Sequence, residues 1–274
     1  MPNNHVLLPK NYLPYGLNFN FVLSQNKFGQ YKPLSIIANE LKIPLICLEH
    51  CTVDPRWNNQ QKQEICKMVG NVNVFISQYS AKKWNLEKYH IIEHCVNTDV
   101  FMLGNQKRNN KILVVANDFI NRDAVLNFSQ FKRITKNLGV TIVGNTPGLS
   151  EAAKDINELV NFYQTSRIFL NTAHHSPIPM SVLESMSCGC AVVSINACAI
   201  PEYIEHGVNG FLANNDDEMR HYLELLLRDE YLATKLGNNA RETIIEKCSK
   251  EKFTQKWDKI FNTVYQNQIR FRKV

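Results

Sequence analysis

The sequence has no apolar run long enough to cross a bilayer. Its richest stretches, residues 112–116, 141–143 and 191–195, hold at most five residues, where a spanning helix needs ~20. The first five residues, Met-Pro-Asn-Asn-His, give no basic start ahead of an apolar core, so no cleaved secretory signal is expected. None of the eight cysteines forms a C-x2-C pair, which argues against a zinc ribbon. Cys47, Cys51, Cys66, Cys95, Cys188, Cys190, Cys198 and Cys248 sit mostly inside apolar segments. A thiol there behaves as a small hydrophobe, and a reduced, cytoplasmic setting is the expectation. Eleven Gly and ten Pro are too thinly spread for a collagen-like chain.

A dominant charge is also missing. Residues 1–105 carry ten basic and seven acidic side chains, and residues 106–274 carry 21 and 18, so each part is +3. Apart from a short Arg270-Phe271-Arg272-Lys273 tail there is no basic arm. A nucleic-acid binder would cluster its charge on one stripe, so a nucleic-acid partner is not expected. A mild, even excess suits a protein that handles small anions. It is also compatible with contact at a membrane surface.

What remains is an ordinary globular composition, 44% apolar and 20% charged over 274 residues. Such a chain has the apolar residues to offset its ordering entropy. Short apolar runs alternate with longer amphipathic stretches. Strands are expected at 19–24, 44–48, 72–77 and 90–93, with helices at 32–41, 59–69 and 80–86. Asn105 to Asn110 is polar throughout and reads as a linker. Beyond it, strands are expected at 111–116, 140–143, 168–171 and 191–195, with helices at 124–138, 149–165 and 180–188. Residues 200–205, a Gly-rich hairpin-like turn, and helices at 217–228, 231–248 and 250–268 close the chain. Asp216 and Ser249 suit the N-cap position of two of these helices. The alternation predicts an α/β fold of parallel strands joined by helical crossovers. It forms two Rossmann-like halves, 1–105 and 106–274, whose ligands bind at the carboxyl ends of the strands.

The most informative stretch runs from Asn171 to Asn215. A strand ends at Asn171, and a polar loop follows, stiffened by Pro177 and Pro179. A helix then starts near Met180. The backbone N–H groups of Ile178, Met180 and Ser181 would be free there, and a helix N-terminus favours a phosphate. Glu184 lies one turn in, where a carboxylate suits a sugar diol rather than a phosphate.

The residues Leu183-Glu184-Ser185-Met186-Ser187-Cys188-Gly189, then Ala191-Val192-Val193, then Pro201-Glu202-Tyr203-Ile204-Glu205-His206-Gly207-Val208-Asn209-Gly210-Phe211, carry a resemblance. They resemble the donor-binding signature of the GT-B-fold retaining glycosyltransferases of family 4, glycosyl transferases group 1. Val72-Asn73-Val74-Phe75-Ile76-Ser77, Cys95-Val96-Asn97-Thr98-Asp99-Val100-Phe101 and Pro44-Leu45-Ile46-Cys47-Leu48-Glu49-His50 extend it from about Phe19 to the C-terminus.

The resemblance implies a GT-B arrangement with a shortened N-terminal half and a C-terminal helix, bearing Trp257, that crosses back. It implies transfer of a hexose-type sugar from a nucleoside diphosphate sugar to a hydroxyl acceptor with retention. No cofactor and no metal are implied. On this reading Glu184 holds the ribose. Asn117 and Arg122, with Ile178, Pro179, Met180 and Ser181 at the helix start, stabilise the diphosphate, and Gly144 is a further donor-binding residue. His50 and Ser176 are the catalytic candidates that orient the sugar. Each has a plainer alternative: a solvated helix-face Glu184, an Arg122 paired with Asp123, a structural His50 and a loop Ser176.

Three departures stand out. The earlier Glu of the family's Glu-x7-Glu is replaced by Ser176. Of two diphosphate-binding cations, one position holds Asn117 and the other Arg122, whose fork can grip phosphate oxygens in pairs. The Gly-rich loop that opens the family's first strand has no counterpart here. These departures favour, as the alternative, a nucleotide-sugar-binding protein without turnover.

Overall fold

The computed structural model describes residues 19–54 and 56–272, with side chains up to Asn267. The five N-terminal residues and the side chains of the basic tail, both read above, lie outside the described residues. The chain divides into two compact units. The first takes residues up to Ile76, Ser80–Ile92 and the chain from Gln255 onward. The second takes Ser77–Tyr79 and Glu93–Thr254.

The first unit contains β1 (Val22–Ser24), α1 (Tyr31–Glu40), β2 (Leu45–Glu49), α2 (Asn59–Cys66), β3 (Val72–Phe75), α3 (Gln78–Trp84) from Ser80 onward, and β4 (His90–Ile91). The strands pair in parallel in the order β1-β2-β3-β4. β2 reads Leu-Ile-Cys-Leu-Glu and is buried along almost its whole length, as a strand covered on both faces must be. α2 starts at a capping box between Asn58 and Gln61. Trp84 is fully buried beside Phe75 and Ala81, and its indole N–H donates to the Cys51 carbonyl at 3.0 Å. Trp57 packs on Trp84. Trp257, in the part of the last helix that belongs to this unit, stacks on Phe261, which stacks on Phe21. Every crossover steps the same way, so the described strands are wound in one direction with no reversal.

The second unit contains β5 (Asn109–Val115), α4 (Asp123–Leu126), α5 (Phe128–Ile134), β6 (Val140–Val143), α6 (Ile156–Thr165), β7 (Ser166–Asn171), α7 (Met180–Ser187), β8 (Ala191–Ile195), β9 (Phe211–Ala213), α8 (Asp216–Arg228) and α9 (Glu230–Cys248). α10 (Lys250–Arg272) begins here and runs on into the first unit. All neighbours in the order β6-β5-β7-β8-β9 are parallel. β7 and β8 are buried. Ile112, Val114, Ile168, Leu170, Ala191 and Val193 form a core with α5, α8 and α9.

Several sequence expectations need correction. The linker stretch is not free: Asn109 already opens β5, and Arg108 donates to the Tyr163, Ser166 and Cys188 carbonyls. The helix expected over 124–138 breaks at Asn127, whose φ of 57° is left-handed. The Asp123 carboxylate seals the break by accepting from the Ser129 N–H and hydroxyl. The helix expected from 149 starts only at Ile156, because Asp155 caps it through the Glu158 N–H. A tight turn closed between Thr146 and Ser150 precedes it. Asn215, not Asp216, caps α8; Asp216 instead accepts from Gln130 and Arg133. Residues 200–202 form a short 3-10 helix. The hairpin-like turn leads to β9, which joins the sheet in parallel. Among the described residues no helix is long and apolar enough to cross a membrane.

Candidate functional site

The chain leaves β5 for β6 on one side, then returns to β7 on the other side of β5. Loops from two adjacent strands therefore part in opposite directions at their carboxyl ends. Such a reversal opens the crevice in which ligands of doubly wound sheets bind. A cavity of about 390 Å³ occupies this place. It is lined by the ends of β5 and β7, by Asn117 and Arg122, and by Ser176, Pro179, Met180 and Ser181.

The walls are fixed by hydrogen bonds of the loops that form them. Asn171 donates to the Ser194 hydroxyl at 2.8 Å and accepts from the Ala173 N–H. The Thr172 hydroxyl donates to the Leu126 carbonyl at 2.6 Å. The Ala199 N–H donates to the Pro177 carbonyl at 2.9 Å. Across the crevice the Asn117 side chain accepts from the Asn145 N–H at 2.8 Å. Gly144 stands behind it with φ 135°, and a Cβ there would overlap the Ala116 carbonyl. Only glycine allows this approach of β6 to β5.

α7 starts at the cavity without a capping side chain, because its N-cap residue is Pro179. Its first-turn N–H groups leave partial positive charge there. At the other end two cations meet its last carbonyls. Arg241 donates to Ser187 O at 2.6 Å, and Arg108 donates to Cys188 O. Both charges favour the orientation of the helix dipole.

The structure thus brings Asn117, Arg122, Ser176, Pro179, Met180 and Ser181 to one cavity. Arg122 is exposed and reaches the Asn117 carbonyl at 3.5 Å. Asp123, its expected alternative partner, is engaged by Ser129. Ile178 is buried, so its side chain packs while its neighbours line the wall. Glu184 is not on the wall of this cavity. It is half-buried one turn behind it and accepts from the Tyr163 hydroxyl at 2.8 Å. A freely solvated Glu184 is therefore ruled out. Burial pushes its carboxyl pKa up, and the Tyr163 bond offsets part of that rise. His50 belongs to the first unit, directly after β2, where it is half-buried. Burial holds its imidazole below the usual histidine range. Among the described residues no three His, Cys, Asp or Glu side chains gather as a metal-ligand set.

Sequence reasoning missed Tyr163, Arg108 and Arg241. Tyr163 sits on α6, 21 residues before its partner, where no local spacing links the two. Arg108 lay hidden in a polar stretch that reads as a linker.

The family model described as Glycosyl transferases group 1 matches residues 150–243. That interval holds α6, β7, α7, β8, β9 and α8, the elements around one side of the crevice. N-acetyl-alpha-D-glucosaminyl L-malate synthase of Bacillus anthracis is 30% identical over 101 residues, covering 36% of this chain and 26% of that protein. Poly(ribitol-phosphate) alpha-N-acetylglucosaminyltransferase of Staphylococcus aureus is 31% identical over 100 residues, covering 35% of this chain and 20% of that protein. The matched stretch thus spans about a quarter or less of these relatives.

The solved structure of TarM is similar over 88% of this chain and 54% of its own, with TM-score 0.70 and 17% identity. Anabaena HepE, solved in complex with UDP, is similar over 93% of this chain and 79% of its own, with TM-score 0.72 and 13% identity. These likenesses establish the fold. Residues 150–243 match the glycosyl transferases group 1 model, and the chain has the α/β fold of these solved structures, the GT-B fold.

Proposed function

We propose that the protein is a glycosyltransferase that moves a sugar from a nucleoside diphosphate sugar to a hydroxyl acceptor with retention at the anomeric carbon. The observation that carries this reading is the cavity at the β5/β7 reversal, which an uncapped helix start and an exposed arginine both line. A diphosphate fits that chemistry. Its charge would meet the first-turn N–H groups of α7 and the Arg122 guanidinium. Ser176, which lines the same cavity, would hydrogen-bond a sugar hydroxyl. Glu184 would accept the ribose hydroxyls. His50 keeps its role of orienting the sugar on the strength of the resemblance alone.

In the transfer, the bond from the anomeric carbon to the diphosphate oxygen breaks and its electron pair stays with the phosphate. The acceptor oxygen bonds the same carbon, and its proton passes to the leaving phosphate. Developing charge on the diphosphate is what helix and arginine stabilise, and electrostatic stabilisation of this kind is a large catalytic contribution. No metal or cofactor is invoked. HepE was solved with UDP, so UDP-sugars are the first donors to test. The acceptor is a hydroxyl on a glycan, lipid or protein.

Ser176 favours a second reading. It lies on the cavity wall at the position where the resemblance calls for a carboxylate, which suits a nucleotide-sugar-binding protein without turnover. One experiment separates the two. Melting is followed with UDP-, GDP- and ADP-sugars, then free nucleoside diphosphate is measured with mixed acceptors. A donor at 100 times its Kd stabilises by ~2.7 kcal/mol. Stabilisation with release supports transfer, and stabilisation without release supports the binding protein. No stabilisation by any donor contradicts both.

A further inference from the structure

We propose that Tyr163 is a positioning residue for donor binding, fixing the Glu184 carboxylate that receives the ribose. The inference rests on the donor reading above and extends it to a residue outside the recognised signature. Tyr163 is fully buried on α6, and its hydroxyl donates to Glu184 Oε2 at 2.8 Å. The hydroxyl has little freedom to turn away. The Tyr163 ring lies 6.1 Å from Phe101 and 5.9 Å from Phe169, centre to centre. Its carbonyl accepts from Arg108 Nη1 at 3.0 Å and from the Cys190 thiol at 3.1 Å. The same arginine and Arg241 hold the end of α7 that follows Glu184. Arg108 thus ties the tyrosine's helix and the glutamate's helix to one scaffold.

A carboxylate offers about four acceptor positions on two oxygens. One bond from a rigid phenol removes the carboxylate's rotation and leaves acceptor positions for two ribose hydroxyls. Orienting a group before the ligand arrives lowers the cost of binding. The hydroxyl also favours the ionised form of Glu184, against the burial that disfavours it. Among the described residues, Cys188 and Cys190 are the titratable groups that act on this pair, with Arg108 and Arg241 the charged ones beside them. Cys188 follows Glu184 on its own chain segment and feels Arg108 and Arg241. Cys190 lies beside Tyr163. Burial holds the Tyr163 phenol well above its usual range, so it stays a donor whenever Glu184 titrates.

The test is a titration of UDP, GDP and ADP into the wild type, Tyr163→Phe and Glu184→Gln between pH 5 and 8, with melting of each variant alone. We expect Tyr163→Phe to raise the Kd of the bound nucleotide about tenfold, the scale of losing a hydrogen bond to a charged group. The loss should grow as pH falls, because the carboxyl then protonates at higher pH. In the Glu184→Gln background, Tyr163→Phe should add little. A Kd and pH midpoint unchanged by Tyr163→Phe, with Glu184→Gln weakened, overturns the inference and leaves the donor reading standing. A loss that does not vary with pH and tracks a lower Tm assigns Tyr163 to packing and also overturns it. No binding of any nucleotide to the wild type, or full binding to Glu184→Gln, overturns the donor reading with it. Should Tyr163→Phe fail to fold, 3-fluorotyrosine at Tyr163 replaces it. Its more acidic hydroxyl should move the midpoint to lower pH, and an unmoved midpoint contradicts the proposal.

Discussion

Burial raises the Glu184 pKa above the ordinary carboxylate value of 4.5, so its ionised form costs folding stability while donor binding needs it. A group with a raised folded pKa destabilises as pH rises from the unfolded pKa through the folded one. Glu184→Gln escapes that cost. It should melt at or above the wild type at pH 7, with the gap closing as pH falls toward 4.5, the unfolded-state carboxyl value. Melting curves across that range check the sign, and a gap that widens on acidification contradicts it. Gly144 gives the opposite kind of residue, one with a purely geometric role. At φ 135° and against the Ala116 carbonyl, Gly144→Ala should destabilise by about 2 kcal/mol or more. Denaturant unfolding measures it. The sequence pointed to Glu184 through a motif. It could not point to Tyr163, because a hydrogen bond between one helix and the next, across the intervening strand β7, leaves no local pattern.

At the scale of elements, α7 concentrates the account. Its N-terminus opens on the cavity without a side-chain cap, and its C-terminus is held by two arginines. A capping carboxylate at 179 should exchange function for stability. The Pro179 backbone is already extended, with φ −67° and ψ 133°, as an N-cap requires. Pro179→Asp should keep or raise Tm and weaken nucleoside diphosphate binding at least about tenfold, since its charge would occupy the phosphate end of the helix. Calorimetric titration with melting tests both halves. Arg108→Ala should lower stability by roughly 2–3 kcal/mol, because it strips donors from three carbonyls at once. Denaturant unfolding measures this.

The elements themselves were legible where apolar runs were short and bounded. β6 and β8 fall on their expected residues. The two misread helices fail at polar residues: Asn127 turns left-handed with Asp123 bonding Ser129 across the break, and the Asp155 carboxylate sets the later start of α6.

On the scale of the whole molecule, the two sheets differ in winding. The second reverses direction at β5 and has its cavity there, and the first steps one way through four strands. The shortened first half was expected from a missing glycine-rich loop. A ligand crevice in such sheets follows the reversal, so nucleotide should act on the second unit. The division of the chain was harder to read. Polarity at residues 105–110 suggested a linker, but Arg108 and Asn109 are built into the second unit. Mean composition reports where charge is dense, not where buried carbonyls need a donor.

The central claim is that a nucleoside diphosphate seats on the uncapped start of α7. Amide hydrogen exchange on the whole chain, with and without saturating UDP, GDP or ADP, tests it most directly. The account predicts slowed exchange confined to residues 114–122, to the end of β7 and to residues 176–185. Protection elsewhere, or none with any nucleotide, would contradict it.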